Sequence, residues 1–140
     1  MCGQSGPIGF PEQLDTPYTY DTLASKGLAV GSGAIVVLDD SVCIVEYIQK
    51  VFEFFVHESC GKCTPCRLGT TRILELPTDF VEGRAKDGDV ERLEYMARQV
   101  SQLSACGLGQ SVNVAMMSVL RHPRGAFGAH NNGSACPAGG

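Results

Sequence analysis

Apolar and polar positions change their period several times along this chain, and the changes divide it. Residues 1–40 are rich in Gly, Pro and Thr and carry one short apolar run, Ala34 to Leu38. A mostly β-branched run flanked by Gly33 and Asp39 predicts a buried strand. Ahead of it, Tyr20 to Lys26 reads as a helical turn that Gly27 ends. From Ser41 the period lengthens. Val45, Ile48, Phe52 and Phe55 recur at threes and fours, with Asp40 or Ser41 available as N-cap, which predicts a helix of about four turns running directly to Cys60. A second helix follows Cys66, "RLGTTRILEL", and Pro77 is expected to end or kink it because proline lacks the amide hydrogen and clashes with the preceding turn. After the polar loop Glu82 to Asp89, "VERLEYMARQVSQL" places Val90, Leu93, Met96, Ala97, Val100 and Leu103 on one face, a third helix with Asp89 as its expected cap. It stops at "SACGLGQS". A fourth amphipathic stretch, Ser111 to Leu120, should be halted by His122-Pro123. The tail "RGAFGAHNNGSACPAGG" has the composition of a loose terminus.

The pattern predicts a mainly α fold: a small four-helix bundle around a bound centre, preceded by an irregular segment with a short β-strand. The expected division is 1–40 as a linker or the remnant of a preceding domain, 41–122 as the helical domain that holds the centre, and 123–140 as a flexible tail. No internal repeat is present.

Composition narrows the possible partners. The 140 residues allow one domain with a real core, and 17 glycines exceed what a compact helical domain needs. A net charge of −4 leaves no basic footprint, so nucleic acid is not expected as a partner. No apolar run approaches the roughly 18 to 20 residues of a membrane span, and no export signal precedes the first elements. The expectation is a soluble, cytoplasmic protein without direct membrane insertion. Its seven cysteines are an odd number, and in a reducing compartment clustered thiols bind metal more often than they pair.

Three of them stand in "HESCGKCTPCRLG", where Cys60, Cys63 and Cys66 form C-x2-C-x2-C, and Cys106 follows after 39 intervening residues. Three thiolates two residues apart can wrap one side of a four-iron cube while a distant segment closes the fourth corner. Gly61 permits a sharp turn, and Pro65 fixes one φ and removes a donor. Free amides of such a loop, and the positive end of the helix starting near Arg67, suit an anionic centre. Structural zinc is the alternative, although its ligands usually come from two paired knuckles. Spacing favours the cluster over zinc, and both over a reactive or purely structural set of thiols.

Other residues have blander readings. Cys43 lies in the first long helix and reads as a buried small hydrophobe. Cys2 and Cys136 are terminal and expected to face solvent. His57 and His130 read as surface or capping residues before metal ligands. Glu58 is either a helix-end residue or a support to the ligands, and Lys62 and Arg67 either offset cluster charge or are simply solvated. "GSGA" and "GLGQS" complete neither a dinucleotide fingerprint nor a phosphate loop.

"ESCGKCTPCRLGT" followed by "ACGLGQS" strongly resembles the C-terminal iron-sulfur region of the flavoprotein subunit of NADH:quinone oxidoreductase and its relatives, among them NAD-linked hydrogenases and formate dehydrogenases. "LDTPYTYDTLASKGLAVGSGAIVVLDD" is similar to the segment before that region, so the resemblance covers roughly Leu14 to Leu120. It implies a [4Fe-4S] cluster on Cys60, Cys63, Cys66 and Cys106 in a helical bundle, fed one electron at a time by a flavin that has taken hydride from NADH. "ACPAG" near the C-terminus resembles the opening of a ferredoxin-like extension whose further cysteines are missing, so Cys136 is assigned no cluster. The departures are Leu68 where the family usually has an acidic residue, Pro77 inside a helix that is normally continuous, and "SVNVAMMSVL" without the usual prolines.

The implied function is that of a one-electron relay within an NADH dehydrogenase-type complex, between a flavin on a partner or missing domain and another iron-sulfur subunit. This chain contains no expected FMN or NAD site and no arranged acid, base or nucleophile, so alone it should not oxidise NADH. The rivals are a zinc-bound structural module and a truncated product without a role of its own.

Overall fold

The computed structural model describes residues 6–121, 125–128 and 130. It is mainly helical, and the four helices expected from the pattern are all present, together with shorter ones. A 3-10 turn at Pro11–Gln13 and helix α1, Tyr20–Ser25, precede the bundle. The bundle consists of α2 (Ile44–Glu58), α3 (Thr64–Val81), α4 (Asp89–Leu103) and α6 (Val112–Arg121), with a single turn, α5 (Gly107–Gln110), between the last two. A final turn, α7, covers Gly125–Gly128.

The helix periods became burial. Val45, Ile48, Phe52 and Phe55 of α2 are all essentially inaccessible, and they pack with Ile73, Leu76 and Phe80 of α3, Leu93, Ala97 and Val100 of α4, and Val112, Ala115, Met116 and Val119 of α6. Each large side chain so buried stabilises the fold by about 1.5–3 kcal/mol, and that drive holds these helices more than propensity does. Leu103, at the end of the predicted stripe, is exposed. Helices α3 and α4 approach closely at one point. A Cβ on Gly69 would lie 2.2 Å from Val100 Cγ2, so glycine is what lets the two backbones meet.

Four expectations are corrected. The Ala34–Leu38 run is not a buried strand: among the described residues it has a single bridge position at Ile35, and Ile35, Val36 and Val37 are exposed. Its β-branched residues carry the strand signal, but among the described residues no strand lies beside them. Of the two outcomes expected at Pro77, an end or a kink, the end is overturned, because α3 continues to Val81. Leu76, Pro77 and Phe80 are buried together, and Thr78 Oγ1 donates to the Leu74 carbonyl at 2.8 Å while accepting from Gln49 Nε2 at 3.1 Å, so packing and a side-chain bridge to α2 carry the helix past the lost amide. The caps shift by one to three residues. Cys43 is the N-cap of α2 while the Asp39 carboxylate accepts from the Ser41 amide and hydroxyl, and Gly88 at φ 92° caps α4 while Asp89 accepts from the Lys86 amide. Finally, the loose-terminus reading fails at Phe127 and His130. Phe127 is fully buried edge-on against Phe80 with centroids 5.2 Å apart, and buried His130 sits with Nε2 3.3 Å from Cys43 Sγ. Cys2, Cys136 and the His122-Pro123 stop lie outside the described residues.

Candidate metal centre

The segment joining α2 to α3 is built to turn. Ser59 leaves α2 in extended conformation, Gly61 adopts φ 75°, and Cys63 becomes the N-cap of α3 with Pro65 in its first turn. Arg67, an exposed residue, closes this loop by donating from its guanidinium to the Gly61 carbonyl at 3.2 Å. Lys62 is exposed, and Glu58 is an exposed neighbour of His57.

Cysteine accessibility is graded. Cys60 and Cys106 are exposed, Cys63 is half-buried, and Cys66 is buried. Cys66 lies one turn into α3, and its carbonyl accepts from the hydroxyl of Thr70, a fully buried residue, at 2.7 Å. The Ser59 hydroxyl meets Cys66 Sγ at 3.4 Å.

The distant segment arrives at the same place. Helix α4 ends at Leu103, Ser104 and Ala105 turn the chain, and Cys106 is the N-cap of α5. The Cys63 sulfur accepts the amide hydrogens of Ala105 and of Cys66, and these contacts hold its pKa below the ordinary thiol value, the Ala105 amide most strongly. Gln110 fastens the turn by donating to the Ser104 carbonyl at 3.2 Å, while Ser101 donates to the Gln110 carbonyl. Gly109 packs against the first loop so tightly that a Cβ there would lie 2.3 Å from Ser104 Oγ and 3.3 Å from Cys66 Cβ. The structure thus brings the turn before Cys106 against the Cys60–Cys66 loop, with Gly109 and Ser104 beside Cys66. Among the described residues, no three His, Cys, Asp or Glu side chains converge closely enough to share a single ion.

The 46–130 segment matches the family model described as the NADH-ubiquinone oxidoreductase-F iron-sulfur binding region. The chain belongs to this family. Its cofactor is accordingly a [4Fe-4S] cluster, and the donor chemistry fits one: thiols at helix N-termini, amide hydrogens directed at the Cys63 sulfur, and a buried Ser104 hydroxyl without a hydrogen-bond partner. The space that Gly109 leaves is bordered by both this hydroxyl and Cys66 Cβ, which sets Ser104 beside the first loop.

Longer relatives agree with the family assignment. The chain is 36% identical over 135 residues to the F-2 polypeptide of NADH-quinone oxidoreductase from Rhizobium meliloti, covering 96% of itself and 32% of that protein. It is 32% identical over 136 residues to the HndC polypeptide of the NADP-reducing hydrogenase from Solidesulfovibrio fructosivorans, covering 97% of itself and 28% of that protein. A solved NAD+-reducing [NiFe]-hydrogenase in its H2-reduced state matches 99% of this chain at 31% identity and a TM-score of 0.81, over 23% of its own chain. This chain therefore spans about a third or less of the proteins it matches. Among the described residues, no helix is long and apolar enough to cross a membrane.

Reasoning from the sequence passed over Ser59 and Ser104. Their signal was present in the serines one and two positions before a cysteine, "SC" and "SAC", but serine at such positions is common, and only the contact of Ser59 with Cys66 Sγ and the burial of Ser104 distinguish them.

Proposed function

We propose that this chain is the [4Fe-4S]-bearing relay of an NADH dehydrogenase-type oxidoreductase, with Cys60, Cys63, Cys66 and Cys106 as the cluster ligands and residues 41–122 as the domain that holds them. Bound there, a cluster supplies one-electron storage between a flavin carried on other polypeptide and a further iron-sulfur centre. The observation that carries the reading is the Cys63 sulfur accepting the Ala105 amide hydrogen, which places the first loop against the residue next to Cys106.

The chain's own work is positioning. Cys63 and Cys66 are fixed by the first turn of α3, Cys106 by α5, and Gly109 by the space it leaves. The N-terminal ends of these helices and the amides of Cys66 and Ala105 stabilise negative charge on sulfur. The buried faces of α2, α3 and α4 exclude water near buried Cys66, while Cys60 and Cys106 are exposed, which leaves them accessible to a redox partner.

The test is anaerobic purification with iron, sulfide and zinc analysis and EPR of the dithionite-reduced protein. About four irons and four sulfides per chain, as the cluster type requires, with the reduced signal lost in Cys106→Ser, support the relay. One zinc and no sulfide from the same preparation would overturn it in favour of a structural zinc module.

A further inference from the structure

Deep in the turn before Cys106, the Ser104 side chain is 6% exposed, and its Oγ makes no hydrogen bond to any described atom. An unpartnered buried hydroxyl is costly and uncommon in a native fold. Its surroundings are specific. The place a Gly109 Cβ would occupy is 2.3 Å from this oxygen and 3.3 Å from Cys66 Cβ, so the hydroxyl lies across Gly109 from a cysteine of the first loop. The neighbouring Ser111 hydroxyl, by contrast, is satisfied by the Leu108 carbonyl at 2.9 Å.

We propose that the Ser104 hydroxyl is a positioning donor to sulfur at the cluster site, and that it holds the reduction potential of the bound centre up. The inference rests on the relay reading above and deepens it. A reduced cluster carries one more negative charge than an oxidised one, so an O–H directed at its sulfur stabilises the reduced form more. The Ser59 hydroxyl, by comparison, is already engaged with Cys66 Sγ at 3.4 Å.

The experiment is a mediated redox titration of the anaerobically purified protein by EPR, comparing the unsubstituted chain, Ser104→Ala and Ser111→Ala. A hydrogen bond to a charged acceptor differing by about 1.4 kcal/mol between the two states changes the one-electron equilibrium about tenfold, which is about 59 mV for one electron. The expected result is a midpoint potential lower by about that amount in Ser104→Ala and unchanged in Ser111→Ala. The potential is read on the loaded fraction, so partial loading does not blur it. An unchanged or raised potential in Ser104→Ala, or loss of the centre altogether, would overturn the tuning role and leave Ser104 as a packing residue. An unsubstituted protein without iron and sulfide would instead overturn the relay reading itself.

Discussion

Replacing Gly69 by alanine sets two opposed effects against each other. In the middle of α3, alanine is the better helix former by about 1 kcal/mol. Against this, the new Cβ would stand 2.2 Å from Val100 Cγ2, with Val100 Cβ and Cγ1 at 3.5 and 3.6 Å. Val100 is 5% exposed, and a β-branched side chain on a helix has essentially one χ1 rotamer, so it cannot swing aside. The helices must separate locally, at a cost of about 2–3 kcal/mol for such overpacking. Gly69→Ala should therefore destabilise the protein by about 1–2 kcal/mol, the difference of the two effects. In a Val100→Ala background the offending methyl is gone, and the nearest remaining atom, Cβ, is at ordinary contact distance. There the same substitution should stabilise by about 1 kcal/mol. The sign reverses, and the coupling between the two positions is about 2–3 kcal/mol. Urea unfolding of the anaerobic protein, followed by circular dichroism for all four members of the cycle, measures this. Equal destabilisation by Gly69→Ala in both backgrounds would show that Val100 is not what confines Gly69, and the account of the α3–α4 approach would be wrong.

Two further outcomes follow from the same structure. Pro77→Ala restores an amide hydrogen to the interior of α3, relieving about 3 kcal/mol, and removes about two buried methylenes worth roughly 1.6 kcal/mol; the variant should unfold at higher urea concentration, and a lower midpoint would show that packing holds Pro77 more strongly than two methylenes account for. Cys63 has its pKa lowered by the Ala105 amide, so in metal-free protein its alkylation should rise with a midpoint below the ordinary 9.0. The folded value lies under the unfolded one, so the thiolate's contribution to stability is fully present above pH 9.0 and is lost as pH falls through the folded value; mass-resolved alkylation against pH reads it, and a midpoint at or above 9.0 refutes the contact.

What the sequence disclosed follows from the kind of force involved. The apolar stripes of α2 and α4 were legible because burial of Val45, Ile48, Phe52 and Phe55, or of Leu93, Ala97 and Val100, is a periodic demand that the chain must write out. The kind of centre was legible because the C-x2-C-x2-C spacing is also written along the chain, and the family match bears out the iron-sulfur reading. Ala34–Leu38 misled because β-branching reports a preference for a pleated, half-buried surface, and whether a neighbour supplies that surface is a tertiary matter. Pro77 misled for a related reason, since its cost is local and its compensation by Thr78, Gln49 and Phe80 is not. Ser104, Gly109 and the burial of Phe127 and His130 were illegible because each depends on one contact between segments far apart in sequence.

The closeness of the Cys63 loop to the Ala105 turn has a mechanical side. From Cys66 to Cys106 the chain runs 40 residues, through most of α3 and the whole of α4. A centre bonded to both cysteines, as proposed above, would tie that excursion shut, as a crosslink would. A loop of such length constrains the unfolded chain by on the order of 4 kcal/mol in the chain-entropy account of crosslinks. Oxidative loss of the cluster would then do more than silence a relay. It would release the tether across α3 and α4 and expose their junction to proteases, so that redox damage to the centre and turnover of the polypeptide become one event.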